Sequence, residues 1–231
     1  VKVLAISPAY NAGKTLETLI EGLTETIDRD DILIIDDGSF DTTSEIANSH
    51  GVRTIRFDTN MGKGNALKAG FAEAVRGGYD AALTIDSDLQ HPPGICKDFI
   101  EKMIETGADI VIGDRMSDIS DMPTARRFSN KITSLFVRLW TGEKIRDSQC
   151  GFRLIKISVL EKIDLRIQRY QTETELILEG ARLGAKFAYV PVPTIYNDQP
   201  SNIDAFSETL RFIGLMLGYP FRRARLDRRR G

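Results

Sequence analysis

Along the first half of the chain, short apolar runs alternate with longer stretches in which apolar residues recur every three or four positions. VKVLAIS, DILIIDD, VRTIRF, AALTID and DIVIGD are rich in β-branched residues and predict short strands. Between them, GKTLETLIEGLTETI, DTTSEIANSH, GKGNALKAGFAEAVRGG and PPGICKDFIEKMIETG carry the helical period. The last opens on Pro92 and Pro93 and closes near Gly107, residues suited to a helix start and stop. Strands alternating with helices predict an α/β fold, with a mostly parallel central sheet and helices on both faces.

After Asp114 the rhythm changes. A polar loop from Met116 to Pro123 leads into a helix from Thr124 to Thr141, then a strand at GFRLI, a helix near TETELILEGARLG and a strand at KFAYVPVPTIY. A final helix, IDAFSETLRFIGLML, runs into clustered arginines. No internal repeat or linker divides the chain, so residues 1–231 are expected to form a single domain, with 203–231 as a C-terminal amphipathic helix and basic tail.

Apolar residues at 42% and charged residues at 28% exclude disorder, collagen and coiled coil. The longest mostly apolar stretch, Phe212 to Phe221, is half of what a bilayer-spanning helix needs. No N-terminal segment joins a basic start to an apolar core, so no signal peptide is expected. Two cysteines, Cys96 and Cys150, give no disulfide framework and fit a reducing compartment. The net charge of −2 hides an asymmetry: the last ten residues hold six arginines against Asp227. The remainder is acidic, so nucleic acid is not an expected partner.

Two nucleotide motifs can be set aside. The turn SPAYNAGKT lacks the G-x-G-x-x-G of a dinucleotide fold. Gly13-Lys14-Thr15 imitates the end of a P-loop, but the first glycine of that motif would fall on Pro8. The carboxylates say more. The second strand ends in Asp36-Asp37-Gly38-Ser39 and the fourth in Asp86-Ser87-Asp88-Leu89-Gln90, where an open α/β sheet binds ligands. Asp86 and Asp88 at one strand end can present oxygens to a hard cation such as Mg²⁺ or Mn²⁺, although most such pairs are solvated turns.

SPAYNA, DDGSFDTT, NMGKGNALKAG and DSDLQHPP follow one another in an order and spacing that resemble the family 2 inverting glycosyltransferases, which have the nucleotide-diphospho-sugar transferase (GT-A) fold. DSDLQHPP resembles most the dolichyl- and polyprenyl-phosphate sugar synthases, the dolichol-phosphate mannose synthases among them. Gly113-Asp114-Arg115, Arg126-Arg127, DSQCGFR at 147–153 and TETEL at 172–176 extend the likeness to about residue 195. Three positions depart from it: Ala12 stands where the family carries Glu, Cys150 where Ser is common, and Asn130 where the mannose synthases often have Ser.

The resemblance implies a metal-dependent, inverting transfer of a hexose, mannose or glucose, from a GDP- or UDP-sugar to dolichyl or polyprenyl phosphate. Pro8, Tyr10, Asn11, Asp36, Asp37, Lys63, Asp86 and Asp88 would bind the nucleotide sugar; Asp86, Asp88 and Gln90 would hold the cation; Asp88, Arg115 and Arg126 would be catalytic. A phosphate monoester is largely dianionic at pH 7 and needs no base, only cations to hold it. Arg115, Arg126 and Arg127 match that need, with a solvated basic loop as the alternative. Lys63 would meet a phosphate or stay solvated. Asp147, Glu173 and Glu175 would contact donor-sugar hydroxyls, or serve as base if the acceptor were a saccharide or protein hydroxyl; Arg153 would pair with one of them. Trp140 is expected in the core or facing a membrane. A non-catalytic nucleotide-sugar-binding module is the other alternative, and the intact Asp86, Asp88 and Gln90 argue against it. A lipid-borne acceptor implies a membrane surface as partner. The stripe Phe206, Leu210, Ile213, Leu217 and the arginine run imply peripheral association with the cytoplasmic face of a membrane.

Overall fold

The structure is a computed structural model that describes residues 1–117, 122, 124–143, 145–163, 165, 172–193 and 195, the side chains at 125, 126 and 129 excepted. The strands are β1 (Val3–Ala9), β2 (Ile32–Asp36), β3 (Arg53–Arg56), β4 (Ala81–Thr84), β5 (Ile110–Asp114), β6 (Arg153–Lys156) and β7 (Phe187–Pro191). They form one sheet in the order β3-β2-β1-β4-β6-β5-β7. The helices are α1 (Leu16–Thr24), α2 (Thr43–Ser49), α3 (Lys63–Arg76), α4 (Cys96–Thr106), α5 (Thr124–Thr141), α6 (Ile157–Leu160) and α7 (Thr172–Arg182).

Each strand and helix expected within the described residues is present. Short 3₁₀ turns at Arg29–Asp31 and Pro93–Ile95 and the one-turn α6 are additions that the hydrophobic period is too coarse to reveal. β2, β4 and β5 are buried along their whole length, and β1 nearly so, which requires cover on both faces. α3 packs on β1, β2 and β4, while α4 packs on β5, β6 and β7. In α1 the buried residues are Leu16, Leu19, Ile20 and Leu23, one stripe at helical spacing. α4 does the same with Cys96, Phe99 and Met103, and Gly107 stops it in the left-handed conformation, φ 66°. Phe99 stacks on Phe152 at 4.3 Å between ring centres, joining this helix to the segment before β6.

The topology sets the site. β1 lies between β2 and β4, so the chain leaves β1 in one direction and returns on its other side. That reversal opens a crevice at the carboxyl ends of the strands. The chain between β5 and β6 starts and ends at this same edge, so β6 runs antiparallel to both β4 and β5. The ends of β1, β2, β4 and β5 therefore share one rim with the residues that precede β6. No helix among the described residues is long and apolar enough to cross a membrane. The expected C-terminal helix and arginine tail, 203–231, lie outside the described residues.

Candidate active site

The loops after β1 and β2 are fastened to each other. The Asn11 N–H donates to Ser39 Oγ at 2.9 Å, and Asn11 Oδ1 accepts from the Phe40 N–H at 3.0 Å. Ala12 N–H donates to Thr43 Oγ1 at 2.8 Å, and Gly13 N–H to Asp41 Oδ2 at 2.9 Å. Asn11 holds a positive φ of 52°, a conformation that Asn tolerates better than most residues. Tyr10 is left exposed at this rim, beside Pro8 at the end of β1.

Asp36 and Asp37 are both buried and both occupied. Asp36 accepts the Ser39 N–H at 2.8 Å and the Ser44 hydroxyl. Asp37 accepts the N–H groups of Met61 and Gly62 at 2.6 and 2.9 Å. Burial pushes the Asp37 carboxyl above the usual carboxylate range, and those two N–H groups only partly counter it. These acids tie the end of β2 to its own turn and to the start of α3, which places Lys63.

Lys63 is half-buried between two acids, an arrangement that the sequence does not reveal. Its Nζ lies 2.5 Å from Asp86 Oδ1, after β4, and 2.5 Å from Glu173 Oε1, on the first turn of α7. Desolvation opposes the charges of Lys63 and Asp86, but the pairing wins, raising the lysine and lowering the aspartate. Gly151 backs this cluster. A Cβ there would stand 2.6 Å from Asp86 Oδ2 and 3.1 Å from Lys63 Nζ. Thr84 fixes the same residue by donating its hydroxyl to the Gly151 carbonyl at 2.7 Å.

Asp88 follows in a turn where Leu89 holds φ 57°. Asp88 Oδ1 accepts the Gln90 N–H at 3.0 Å. Desolvation first and the Asp86 charge second push its carboxyl up. With Asp86 and Glu173, it sets three acids around one lysine. Excess negative charge among hard oxygen donors fits Mg²⁺ or Mn²⁺.

Arg115, just past β5, makes a two-pronged pair with Asp147: Nε to Oδ2 at 2.7 Å and Nη2 to Oδ1 at 2.9 Å. Asp147 is fully buried and also accepts the Gln149 and Cys150 N–H groups at 3.0 and 3.1 Å. Burial alone would raise its carboxyl, but the Arg115 charge and these bonds hold it below the ordinary range. The Arg115 charge also reaches Asp86, so the two clusters are neighbours.

Arg153 is buried, but its hydrogen bonds go to main-chain carbonyls and not to an acid. It donates to Cys150, Glu173 and Ser148 at 2.7, 2.5 and 3.0 Å, clamping the 147–151 segment against α7. His91 is also buried, with Nδ1 3.2 Å from the Pro193 carbonyl and Nε2 3.8 Å from Cys150 Sγ. Burial lowers the imidazole and pushes the Cys150 thiol up to about 12, so that thiol is no nucleophile.

Of the expected site residues, the structure gathers Lys63, Asp86, Asp88, Glu173, Arg115 and Asp147 at the carboxyl rim. Glu175 is buried two residues beyond Glu173. Arg127 sits on α5 with Nε donating to the Met122 carbonyl at 2.8 Å. Arg126 lies on the same helix, with its side chain outside the described residues. Gly151 and His91 were not in the expected set of site residues, and Arg153, expected to pair with an acid, is hydrogen-bonded to main-chain carbonyls instead.

The family model described as Glycosyl transferase family 2 matches residues 5–164. A UDP-N-acetylglucosamine–dolichyl-phosphate N-acetylglucosaminyltransferase of Methanococcus voltae is 29% identical over 218 residues, covering 85% of this chain and 86% of that protein. An undecaprenyl-phosphate mannosyltransferase of Micrococcus luteus is 29% identical over 203 residues, covering 83% of each. Among solved structures, glucosyl-3-phosphoglycerate synthase from Mycobacterium tuberculosis, in complex with Mn²⁺, uridine diphosphate and glucosyl-3-phosphoglycerate, superposes with a TM-score of 0.69 at 19% identity, over 94% of this chain and 79% of that one.

Proposed function

The chain belongs to glycosyl transferase family 2 and has the GT-A fold, and from that premise we propose that this glycosyltransferase moves a hexose, mannose or glucose, from a GDP- or UDP-sugar to dolichyl or polyprenyl phosphate with inversion. In this reading residues 1–231 are one catalytic domain working at the cytoplasmic face of a membrane, with residues 203–231 as a basic tail toward it. Pro8, Tyr10, Asn11 and the turn held by Asp36 and Asp37 form the nucleotide side of the crevice. Asp86, Asp88 and Gln90 hold Mg²⁺ or Mn²⁺. Such a cation, when bound, offsets the charge that develops on the departing nucleoside diphosphate.

The observation that carries the acceptor is the state of Asp147. A hydroxyl acceptor needs a base whose pKa lies near the working pH. Asp147 is held ionised by Arg115, with its carboxyl lowered, and Glu173 is bound to Lys63. A phosphate monoester brings its own anionic oxygen, which attacks the anomeric carbon as the bond to the nucleotide breaks, and no proton has to move. Arg115, aimed by Asp147, and Arg126 and Arg127 on α5 supply positive charge for that phosphate. Both relatives are named for lipid-phosphate acceptors, and they name different sugars.

A donor screen tests the reading. GDP-mannose, UDP-glucose and UDP-N-acetylglucosamine are offered with a short, water-soluble polyprenyl phosphate, in Mn²⁺ or in EDTA. Metal-dependent formation of one glycosyl phosphate is expected. Transfer to a saccharide hydroxyl, with none to the phosphate, overturns it.

A further inference from the structure

Lys63 stands where a helix has no use for a cation. It is the first residue of α3, and the N-terminal end of a helix already carries partial positive charge. Gly62 before it holds φ 89° and gives its N–H to Asp37, so the turn fixes where the lysine starts. The side chain then carries the ammonium off the helix to a point 2.5 Å from Asp86 Oδ1 and 2.5 Å from Glu173 Oε1. Its charge serves those acids and not α3.

That point has nearly the dimensions of a metal site. Mg²⁺ takes its oxygens at about 2.0–2.1 Å, so two carboxylate oxygens converging at 2.5 Å need to close by only a few tenths of an ångström. Glycine at 151 leaves room behind it, since a Cβ there would stand 3.1 Å from the Lys63 Nζ. Asp86, Asp88 and Glu173 against one lysine leave two negative charges unmatched. Arg115 does not make up the difference, because it is paired with Asp147. The lysine supplies one positive charge where a divalent ion would supply two.

We propose that Lys63 is an exchangeable stand-in for the divalent cation: its ammonium holds Asp86 and Glu173 together and has to leave before Mg²⁺ or Mn²⁺ binds between them, which makes Glu173 a residue of the cation site. The inference rests on the reading of Asp86 and Asp88 as that site. Expelling the lysine costs two close ion pairs, so the cation binds weakly by itself. A nucleoside diphosphate offsets that cost, because its phosphate oxygens give the freed ammonium new partners. Cation and donor nucleotide are then coupled through one side chain.

The test counts Mn²⁺ bound to the full chain, by electron paramagnetic resonance of the free ion, with and without UDP or GDP. Lys63→Met is expected to bind Mn²⁺ alone about tenfold or more tighter than the parent, since a competing charge is gone. With a nucleotide present the gap should close. Brief treatment with acetic anhydride, read by mass spectrometry, follows the exchange in the parent itself and decides the matter even if Lys63→Met does not fold. An ammonium clamped between two carboxylates is protected, and saturating Mn²⁺ without nucleotide should expose Lys63 to acetylation. Equal Mn²⁺ affinity in the two proteins without nucleotide, or acetylation of Lys63 that Mn²⁺ does not raise, overturns the proposal and leaves the metal site standing. If the parent binds no Mn²⁺ even with UDP or GDP, the metal reading falls and the stand-in role with it.

Discussion

Lys63 and Arg115 are two cations held at the same rim of the sheet, and the acids around them are balanced differently. Lys63 bridges Asp86 and Glu173, with the raised carboxyl of Asp88 close by, so acids outnumber the lysine. Arg115 meets Asp147 fork to carboxylate, and the remaining acceptor capacity of that acid is filled by backbone N–H groups. A surplus of charge is a means of binding something of the opposite sign. A saturated pair has little left to bind with, and its use is to fix where the arginine points. The first cluster suits a divalent cation and the second suits the aiming of a fixed positive charge.

The largest expected effect separates these two roles on the Lys63 side. Asp88→Asn should lower transfer by on the order of a hundredfold and abolish the Mn²⁺-dependent part of UDP binding, read by calorimetry with and without the metal. Stability should move the other way. A carboxyl whose folded pKa is raised opposes folding at pH values above that pKa, so removing its charge should leave Tm at pH 7 unchanged or higher. A variant with parent-like transfer in Mn²⁺ would remove the surplus-charge account.

On the other side, Arg115→Ala should cost roughly thirtyfold in kcat/KM for the lipid phosphate, with donor KM little changed. It should also destabilise the fold by on the order of 3 kcal/mol, because Asp147 is left as a buried charge without its partner. The pH dependence gives the sign. The folded-state pKa of Asp147 is lowered, so its contribution is present above the unfolded value near 4 and is lost as pH falls through the folded one. Urea denaturation at stepwise lower pH should show the parent losing stability in that acid range. Arg115→Ala, in which Asp147 protonates more readily, should lose less. Equal acid sensitivity in the two proteins would mean that the pair is not what holds Asp147 ionised.

How far the sequence carries toward these clusters depends on the kind of contact. The strands and helices were legible because β2 and β4 are apolar up to their last residues, Asp36 and Thr84, and α1 and α4 keep one clean stripe. The rim was legible too, since Asp37, Asp86 and Arg115 each follow a strand. Pairings across the sheet were not. Nothing in the spacing of Lys63, Asp86 and Glu173 says that one ammonium bridges both acids, because that contact depends on β4, α3 and α7 meeting at one edge. Asp36 and Asp37 show the same limit: a pair of acids at a strand end reads as a ligand site, and the structure gives their oxygens to the chain itself. α5 was legible as a helix, but the burial of Asn130 and Thr133 on it was not, because the helical period says which residues share a face and not which face turns inward.

Gly151→Ala is the mildest substitution and sharpens the contrast most. The residue lies outside the left-handed region, so alanine suits its backbone and lowers the entropy of the unfolded chain. The added Cβ meets the ends of the Asp86 and Lys63 side chains, which can swing away, so Tm should change little. What should change is the geometry of the acid cluster. Displaced supports of a metal site typically cost about tenfold in affinity, and that is the expected weakening for Mn²⁺ in the presence of UDP. The atoms nearest the new methyl group belong to Asp86 and Lys63 and not to Arg115 or Asp147, so the KM for the lipid phosphate should stay at the parent value. If Gly151→Ala instead raises that KM and leaves Mn²⁺ affinity alone, the two clusters do not divide the work as their charges suggest, and the acid cluster around Lys63 serves the acceptor.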